Sequence, residues 1–267
     1  MPSDKLRQAA EFIGQHRIDV ASVRALPADL QPATSAEAYD IQWAVHDWFA
    51  ARGEVYEGWK VGVTSTTMQA YMKMTTPSLG RVRKALVARN HADLARQQYV
   101  GPGIELEIVV RLGADLPPAD APYTRDSVAD AVAALMPGFE IVDDRYDGIL
   151  DMPAITLIAD DFCNSGCVLG DENPDWRDLD LEAIEGTMTV TTFGGESEVR
   201  VGHGRDVLGH PLEALAYVAN HLNSCGKTPK AGEIIMLGSL VKTAWLDAGD
   251  KATGEIAGLG GVSLSFV

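Results

Sequence analysis

Two glutamates separated by one residue could bind a metal ion, because their side chains would lie on the same face of a strand. Glu105 and Glu107 lie in residues 103–111, a run rich in Ile, Leu and Val that is typical of a strand. Side chains alternate between the two faces of a strand, so the two carboxylates would stand roughly 6.5–7 Å apart. This spacing favours a divalent cation between them, and oxygen ligands favour Mg²⁺, Mn²⁺ or Ca²⁺. A solvent-facing antiparallel strand gives the same alternation and is the alternative.

Two further charged residues lie in segments with strand-like patterns. Glu140 is surrounded by apolar residues, and Lys60 lies between Gly58 and Gly62, which leave room beside it. A carboxylate in an apolar strand is costly to bury unless it is paired or bound to a metal. Each residue also has an ordinary explanation: Glu140 could form a salt bridge with Arg145, and Lys60 could be exposed to solvent.

The composition limits the classes of partner. The chain has 267 residues and a formal net charge of −16, which argues against nucleic acid or an anionic membrane as partner, because both require a basic surface. Three cysteines are too few for a disulfide framework. The N-terminus lacks the apolar core of a signal peptide, and no apolar run approaches the ~18 residues of a membrane span. The sequence therefore predicts a cytoplasmic protein.

Helix signals are concentrated in the first third of the chain. Ser3 and the apolar spacing after it predict a helix that ends at about His16. Thr34 and Glu37 form a capping-box pattern that begins a second helix. Beyond the first third, a third helix is predicted over residues 126–135, ending before a Pro-Gly pair.

Short strands separated by glycine-rich turns dominate from about residue 55 onward. Because helix signals come first along the chain and strand signals follow, the sequence predicts an α+β protein with a mixed sheet that closes on itself. We expect residues 1–80 to form an N-terminal helical region packed on the core. We expect residues 81–267 to form the catalytic domain, and the two regions to be one structural unit.

Several segments, in this order along the chain, resemble one known family. The matching segments are Gly58-Trp59-Lys60-Val61-Gly62-Val63-Thr64, Ile104-Glu105-Leu106-Glu107-Ile108, Pro137-Gly138-Phe139-Glu140-Ile141-Val142, Leu208-Gly209-His210-Pro211-Leu212, Ala231-Gly232-Glu233-Ile234-Ile235, Ala248-Gly249-Asp250 and Ile256-Ala257-Gly258-Leu259-Gly260. They resemble the 2-oxopent-4-enoate hydratase / 4-oxalocrotonate decarboxylase family of the fumarylacetoacetate hydrolase superfamily. The ordered series is far more specific than a lone Glu-x-Glu pair.

The resemblance implies a metal centre and a catalytic lysine. Glu105, Glu107 and Glu140 would bind Mg²⁺ or Mn²⁺, and Lys60 would act as the acid/base residue or as a partner of the substrate carboxylate. A cation there could bind the carboxylate and the 2-oxygen of a 2-oxo acid as a Lewis acid. The implied fold is a closed mixed β-roll of the fumarylacetoacetate hydrolase C-terminal type, with N-terminal and peripheral helices.

The substrate side is expected to be lined by Leu79, Ser165 and Ser239. Two segments near it depart from the family pattern. Ser78 stands where the family usually has an acidic residue, and residues 161–163 read Asp-Phe-Cys where Asn-Ala-Ser is common. Ser78 cannot act as a carboxylate base, so proton relay or water activation would differ here.

The resemblance implies a hydratase that adds water to a 2-hydroxy-2,4-dienoate in aromatic meta-cleavage catabolism. Decarboxylation of a 4-oxalocrotonate-type 2-oxo acid at the same site is the alternative. Acylpyruvate hydrolysis is less favoured, because its usual His–Glu pair has no matching His between residues 55 and 90. A non-catalytic partner subunit is a further alternative. The substrate would be a small 2-oxo or 2-hydroxy-dienoic acid, and a homo-oligomer is implied by the resemblance.

Overall fold

The computed structural model describes residues 3–23, 25–146 and 148–267. The helices are α1 (Asp4–Asp19), α2 (Ser35–Ala50), α3 (Thr66–Met72), α4 (Arg125–Ala129), α5 (Ala154–Ala159) and α6 (Pro211–Ser224). The strands are β1 (Tyr56–Gly62), β2 (Ser78–Arg83), β3 (Val87–Arg89), β4 (His91–Leu94), β5 (Pro102–Leu112), β6 (Val132–Asp143), β7 (Asn164–Leu169), β8 (Glu185–Thr191), β9 (Ser197–His203), β10 (Ile234–Ser239), β11 (Ala244–Trp245), β12 (Lys251–Ile256) and β13 (Gly260–Phe266). In these ranges no helix is long and apolar enough to cross a membrane.

The strands form two mixed sheets. The larger sheet has the order β2-β1-β10-β5-β6-β7-β3, with the short β11 added to β5, and the smaller has the order β4-β13-β12-β8-β9. Most neighbours are antiparallel, whereas β1 pairs with β10, β3 with β7 and β4 with β13 in parallel. The chain passes from the larger to the smaller sheet at Asn90, whose φ of 59° lies in the left-handed region. Asn tolerates that conformation better than most residues do.

The main hydrophobic core lies between the two sheets and α6. The apolar residues of β5 point into it: Ile104, Leu106, Ile108 and Val110 are each at most 1% exposed. The glutamates between them therefore point to the opposite, outer face of the larger sheet. The alternation predicted for this strand is confirmed. Its apolar face packs into the core, and its other face is not open to solvent, because Glu107 there is fully buried.

Three helices cover the β2 end of the larger sheet. Residues of α1, α2 and α5 share a second hydrophobic cluster. Buried Gln42 in α2 donates hydrogen bonds of 2.7 Å to the carbonyls of Leu79 in β2 and Ile158 in α5. Two bonds from one buried amide hold α2 in a defined position against both elements.

Side-chain caps begin both N-terminal helices. The hydroxyl of Ser3 accepts a hydrogen bond from an amide of the first turn of α1, and the hydroxyl of Thr34 accepts one of 3.2 Å from the amide of Glu37. These starts confirm the predictions. The predicted end at His16 is too early, because α1 continues to Asp19.

The helix predicted over residues 126–135 is wrong beyond its first turn. α4 ends at Ala129, and β6 begins at Val132 and runs through Pro137 and Gly138. Pairing with β5 extends along this whole strand and outweighs the local helix signals. Pro137 is tolerated because the pairing of β6 with β7 begins only at Gly138, so the missing N–H removes no bond of that ladder.

The predicted combination of N-terminal helices and a mixed sheet is confirmed. Closure of the sheet into a roll is not confirmed. Among the residues that the structure describes, the larger sheet ends at β2 and β3, and the smaller sheet ends at β4 and β9. The fold is therefore two mixed sheets, joined through the main core and by the short crossing at Asn90.

The approach of β1 to β10 requires glycine at one position. A Cβ on Gly58 would lie 1.9 Å from the carbonyl oxygen of Ile234. We expect Gly58→Ala to lower the free energy of unfolding by at least about 1–3 kcal/mol, because the two strands would have to separate. Urea denaturation measures the change. Gly194→Ala is the control, since its Cβ would make only an ordinary 3.7 Å contact with Thr192, and equal midpoints for the two variants would contradict the prediction.

Candidate metal centre

Three carboxylates meet on the outer face of the larger sheet. Antiparallel pairing sets Glu105 of β5 opposite Glu140 of β6, and Glu107 follows two residues along β5. One oxygen from each carboxylate lies within 4.8 Å of the other two. Glu107 and Glu140 are fully buried, and Glu105 is partly exposed. The structure thus brings together the three residues that were predicted as metal ligands.

Each glutamate accepts one hydrogen bond from a neighbouring element. The donors are the Gly238 amide to Glu107 at 2.9 Å, the Asn164 side-chain amide to Glu140 at 2.8 Å, and the Thr243 hydroxyl to Glu105. Within the described ranges, Glu107 Oε1 and Glu140 Oε2 are buried without a hydrogen-bond partner. Buried carboxylate oxygens without donors fit an oxygen-preferring divalent cation.

Lys60 is the cation in contact with this cluster. Its Nζ lies 3.1 Å from Glu140 Oε1, and the residue is only 2% exposed. A Cβ on Gly62 would lie 3.4 Å from Nζ and 2.9 Å from the hydroxyl of Ser78. That hydroxyl is buried and has no hydrogen-bond partner among the residues that the structure describes. A side chain at position 62 would therefore crowd the Ser78 hydroxyl and the amine, and glycine avoids this.

The charges of the cluster do not balance. Burial raises the pKa of Glu107 well above its ordinary value, and the charges of Glu140 and Glu105 raise it further. The pKa of Glu105 is raised by burial and by Glu140. Burial lowers the pKa of Lys60, but the three glutamates outweigh burial, so the pKa is raised and the amine is charged. Three carboxylates beside one ammonium group leave an excess of negative charge, which a dication would offset.

The residues predicted to line the substrate side lie in different surroundings. Ser239 is the strand partner of Glu107 and donates a hydrogen bond of 2.6 Å to the Val241 carbonyl. Ser165 is half-buried, and its hydroxyl accepts a hydrogen bond of 2.8 Å from Arg145. Leu79 is fully buried in the main core, on the face of β2 opposite to the glutamates. The structure brings Ser239 to the cluster but does not bring the Leu79 side chain there, and the substrate contacts of all three stay predictions.

A buried ionic network holds the loop before β7. Asp160 pairs with Arg17 of α1 and, at 2.8 Å, with Arg145. Asp161 pairs with Arg17 at 3.0 Å and with His46 of α2 at 2.7 Å. Arg145 therefore binds Asp160 and not Glu140, which excludes the simple salt bridge that the sequence left open. We name these five residues the charged clamp.

The electrostatics of the charged clamp favour ionised aspartates. Burial raises the pKa of Asp161, but His46, Arg17 and the amide of Arg81 outweigh burial and hold the pKa well below its ordinary value. Burial lowers the pKa of His46, so the ring is neutral at neutral pH and donates Nε2–H to Asp161. Unlike the glutamate cluster, the charged clamp matches its two carboxylates with two guanidinium groups.

Sequence reasoning missed several partners of the site. Asn164 and Thr243 bind the glutamates from segments far away in the chain, and no spacing marks such partners. The adjacent pair Asp160-Asp161 in an apolar stretch is a signal of a buried ionic network. The arginines that pair with it, however, lie 15 and 144 residues away along the chain. Only the fold reveals such pairs.

A surface cavity of about 330 Å³ lies elsewhere. It is lined by Arg96, Asp144 and Trp245, among others, at the start of β5, and includes none of the three glutamates. The candidate metal centre lies on the outer face of the larger sheet and is not part of this cavity.

The fold and the site together define a mixed α/β protein in which three carboxylates form a candidate metal centre. The family model for the fumarylacetoacetate hydrolase C-terminal domain matches residues 60–266, which is most of the chain. The chain belongs to the fumarylacetoacetate hydrolase superfamily.

Curated relatives match over most of the chain. The chain is 30% identical to a 4-oxalocrotonate decarboxylase of Pseudomonas putida, over 97% of this chain and 95% of that protein. It is 32% identical to a 2-hydroxyhexa-2,4-dienoate hydratase of Comamonas testosteroni, over 87% and 86% of the two chains. A solved structure of 4-oxalocrotonate decarboxylase from Pseudomonas putida, complexed with magnesium and adipate, superposes with a TM-score of 0.92 at 28% identity and covers 100% of this chain and 99% of that one. The family resemblance seen in the sequence is confirmed.

We expect Asp161→Asn to destabilise the protein, because the substitution leaves buried Arg17 without one of its carboxylates. The expected loss is about 3–5 kcal/mol in the free energy of unfolding at pH 7. The folded pKa of Asp161 is depressed, so its contribution is present above about pH 4 and is lost as the pH falls toward the folded pKa. The difference from wild type should therefore shrink in acid.

Urea unfolding at pH 7 and at pH 3.5 measures both effects. The control is Asp29→Asn, which changes an exposed carboxylate. A difference between wild type and Asp161→Asn that stayed constant or grew in acid would contradict the assigned direction of the pKa.

Proposed function

We propose that this chain is a metal-dependent hydratase that adds water to a 2-hydroxy-2,4-dienoate, a reaction of aromatic meta-cleavage catabolism. The observation that carries the proposal is the enclosed group of three glutamates with Lys60 3.1 Å from Glu140. The names of the relatives, several of which are hydratases of 2-oxo or 2-hydroxy-dienoic acids, support this class of substrate.

Glu105, Glu107 and Glu140 would hold Mg²⁺ or Mn²⁺. Their donor set is all oxygen, and two of the buried oxygens lack other partners in the described ranges. When bound, the ion would supply Lewis acidity to the carboxylate and 2-oxygen of the substrate. The magnesium in the similar decarboxylase structure supports this assignment.

Lys60 would move the proton. Its amine is charged and buried beside the glutamates. Glu140 orients the amine by its 3.1 Å contact, which leaves the other N–H groups of Lys60 available to the substrate. Ser239 and Ser165 would bind polar parts of the substrate at the rim.

A second candidate is decarboxylation of a 4-oxalocrotonate-type acid. The solved structure named 4-oxalocrotonate decarboxylase covers the whole chain with a TM-score of 0.92. Hydration and decarboxylation both develop negative charge on the 2-oxygen of the substrate, so the same carboxylates and lysine could serve either reaction.

The strand order supports one structural unit. β1 and β2, which belong to residues 1–80 and the segment directly after it, pair within the same sheet as β5 and β6. We therefore propose that residues 1–80 do not fold apart from residues 81–267. The homo-oligomer and the cytoplasmic location stay predictions.

We expect Glu107→Gln to weaken Mg²⁺ binding by at least about 100-fold and to abolish turnover, because the substitution removes the charge of a carboxylate whose Oε1 has no hydrogen-bond partner among the described residues. Calorimetric titration with Mg²⁺ and Mn²⁺ measures the binding, and turnover is measured before and after chelation. Glu255→Gln, on an exposed position of β12, is the control. Full turnover by metal-free protein would exclude a catalytic metal.

The products decide between the two reactions. We expect the Mg²⁺-loaded protein to convert 2-hydroxypenta-2,4-dienoate to its hydrated 4-hydroxy-2-oxo product, followed by NMR. The Lys60→Met variant should form little of it, because general acid–base catalysis contributes about 10²–10⁴-fold. Release of carbon dioxide from 4-oxalocrotonate, without hydration of the dienoate, would favour the decarboxylase instead.

A further inference from the structure

Thr243 holds Glu105, the partly exposed ligand of the candidate metal centre. The pairing of β11 with β5 sets Ala244 opposite Ile104, so the preceding residue, Thr243, lies beside Glu105. The Thr243 hydroxyl donates a hydrogen bond to Glu105 Oε1. A hydroxyl that engages one oxygen of a carboxylate orients the group and leaves the other oxygen for an ion.

Glycine at position 103 lets Thr243 lie close to β5. A Cβ on Gly103 would lie 2.8 Å from Cγ2 of Thr243 and 2.8 Å from Cε3 of Trp245. The methyl group of Thr243 therefore packs over a position that has no side chain. Because a β-branched side chain has few χ1 rotamers, the placement of the methyl group restricts where the hydroxyl can point. The hydroxyl is thereby directed to Glu105.

An arginine of the smaller sheet holds the backbone that carries Thr243. One terminal nitrogen of Arg200, in β9, donates hydrogen bonds to the carbonyls of Lys242 at 3.0 Å and Thr243 at 2.7 Å. Its Nε and its other terminal nitrogen each donate a bond of 2.9 Å to Glu198. A guanidinium group that is fixed by two bonds to a carboxylate presents its remaining N–H groups in one direction. Arg200 therefore holds both carbonyls in a defined position.

β9 also approaches this backbone directly. A Cβ on Gly202 would lie 1.8 Å from the carbonyl oxygen of Leu240, so the two backbones are in contact at that point. The amide of Leu240 donates a hydrogen bond of 2.9 Å to the carbonyl of Leu106 in β5. Residues 240–243, which we name the linking segment, are thus held between β5 of the larger sheet and β9 of the smaller sheet.

We infer that Thr243 and Arg200 are positioning residues of the metal centre: Arg200 holds the linking segment in place, and Thr243 orients Glu105 toward the ion. The inference rests on the proposed function, because it requires that the three glutamates bind Mg²⁺ or Mn²⁺. Glu105 is partly exposed and lies opposite Glu140 across β5 and β6. Repulsion between these two carboxylates favours rotation of Glu105 toward solvent, and the hydrogen bond from Thr243 opposes that rotation.

Removal of the hydroxyl tests the part played by Thr243. We expect Thr243→Val, which keeps the shape of the side chain, to weaken Mg²⁺ binding by about 10–100-fold, because a metal ligand loses the partner that orients it. Thr243→Ser keeps the hydroxyl and should bind Mg²⁺ nearly as tightly as wild type. Calorimetric titration measures the binding, and Thr189→Val, at a half-buried threonine of β8, is the control. Unchanged binding by Thr243→Val, or an equal loss in Thr243→Ser, would overturn the inference.

A double-mutant cycle tests the path from Arg200. We expect Arg200→Met to weaken Mg²⁺ binding by about tenfold, because the linking segment loses its anchor on β9. In the double variant Arg200→Met/Thr243→Val, the loss should be smaller than the product of the two single fold-changes, because Arg200 acts through Thr243. Losses that multiply would overturn the role of Arg200.

Arg205→Met, at an exposed arginine directly after β9, is the control for the arginine substitution. If Thr243→Val fails to fold, Arg200→Met carries the test, and wild-type Mg²⁺ affinity in that variant would overturn the inference. A wild type that bound neither Mg²⁺ nor Mn²⁺ would instead contradict the proposed function itself. The two failures are therefore distinguishable from the wild-type titration.

Discussion

The rest of the structure depends on the burial of three carboxylates that, among the described residues, one lysine accompanies. Their oxygens lie within 4.8 Å of one another, and two of the three side chains are fully buried. Repulsion at this distance in a low-dielectric interior is strong, so the group must take up protons or a cation. An arrangement of this kind reduces stability by itself, and it is the feature that indicates chemistry rather than packing.

The sheet supplies the precision that this arrangement needs. The carboxylates converge because β5 and β6 pair with Glu105 opposite Glu140, and a slip by one residue would send the glutamates into the core. The apolar face of β5 against the smaller sheet and α6 opposes such a slip. Apolar packing on the inner face of the larger sheet therefore stabilises the fold, and repulsion between the carboxylates on its outer face destabilises it.

In the charged clamp, unlike in the glutamate cluster, the buried carboxylates are matched by buried cations. Its aspartates meet two guanidinium groups and a histidine, and the pKa of Asp161 is lowered where that of Glu107 is raised. A matched network holds a fixed geometry, whereas an unmatched one attracts a ligand. The two networks meet at Phe162, where the matched one holds an aromatic ring against the lysine of the unmatched one.

Much of this could be read from local pattern. The faces of β5, the cap at Thr34 and the family all follow from short-range spacing and ordered motifs, since these depend on neighbouring residues. The strand at residues 132–143 was mistaken for a helix in its first part, because long-range pairing with β5 outweighed a helix start and a Pro-Gly pair.

By itself, the sequence determined the residue types for the metal centre and their separation along each strand, because strand geometry alternates side chains in a fixed way. Only the tertiary structure decided which strands are neighbours, which oxygens remain without partners, and that Leu79 faces the core. It also decided that Arg145 binds Asp160 and that Phe162 stands beside Lys60. These facts depend on contacts between residues far apart in the chain, and no local spacing specifies such contacts.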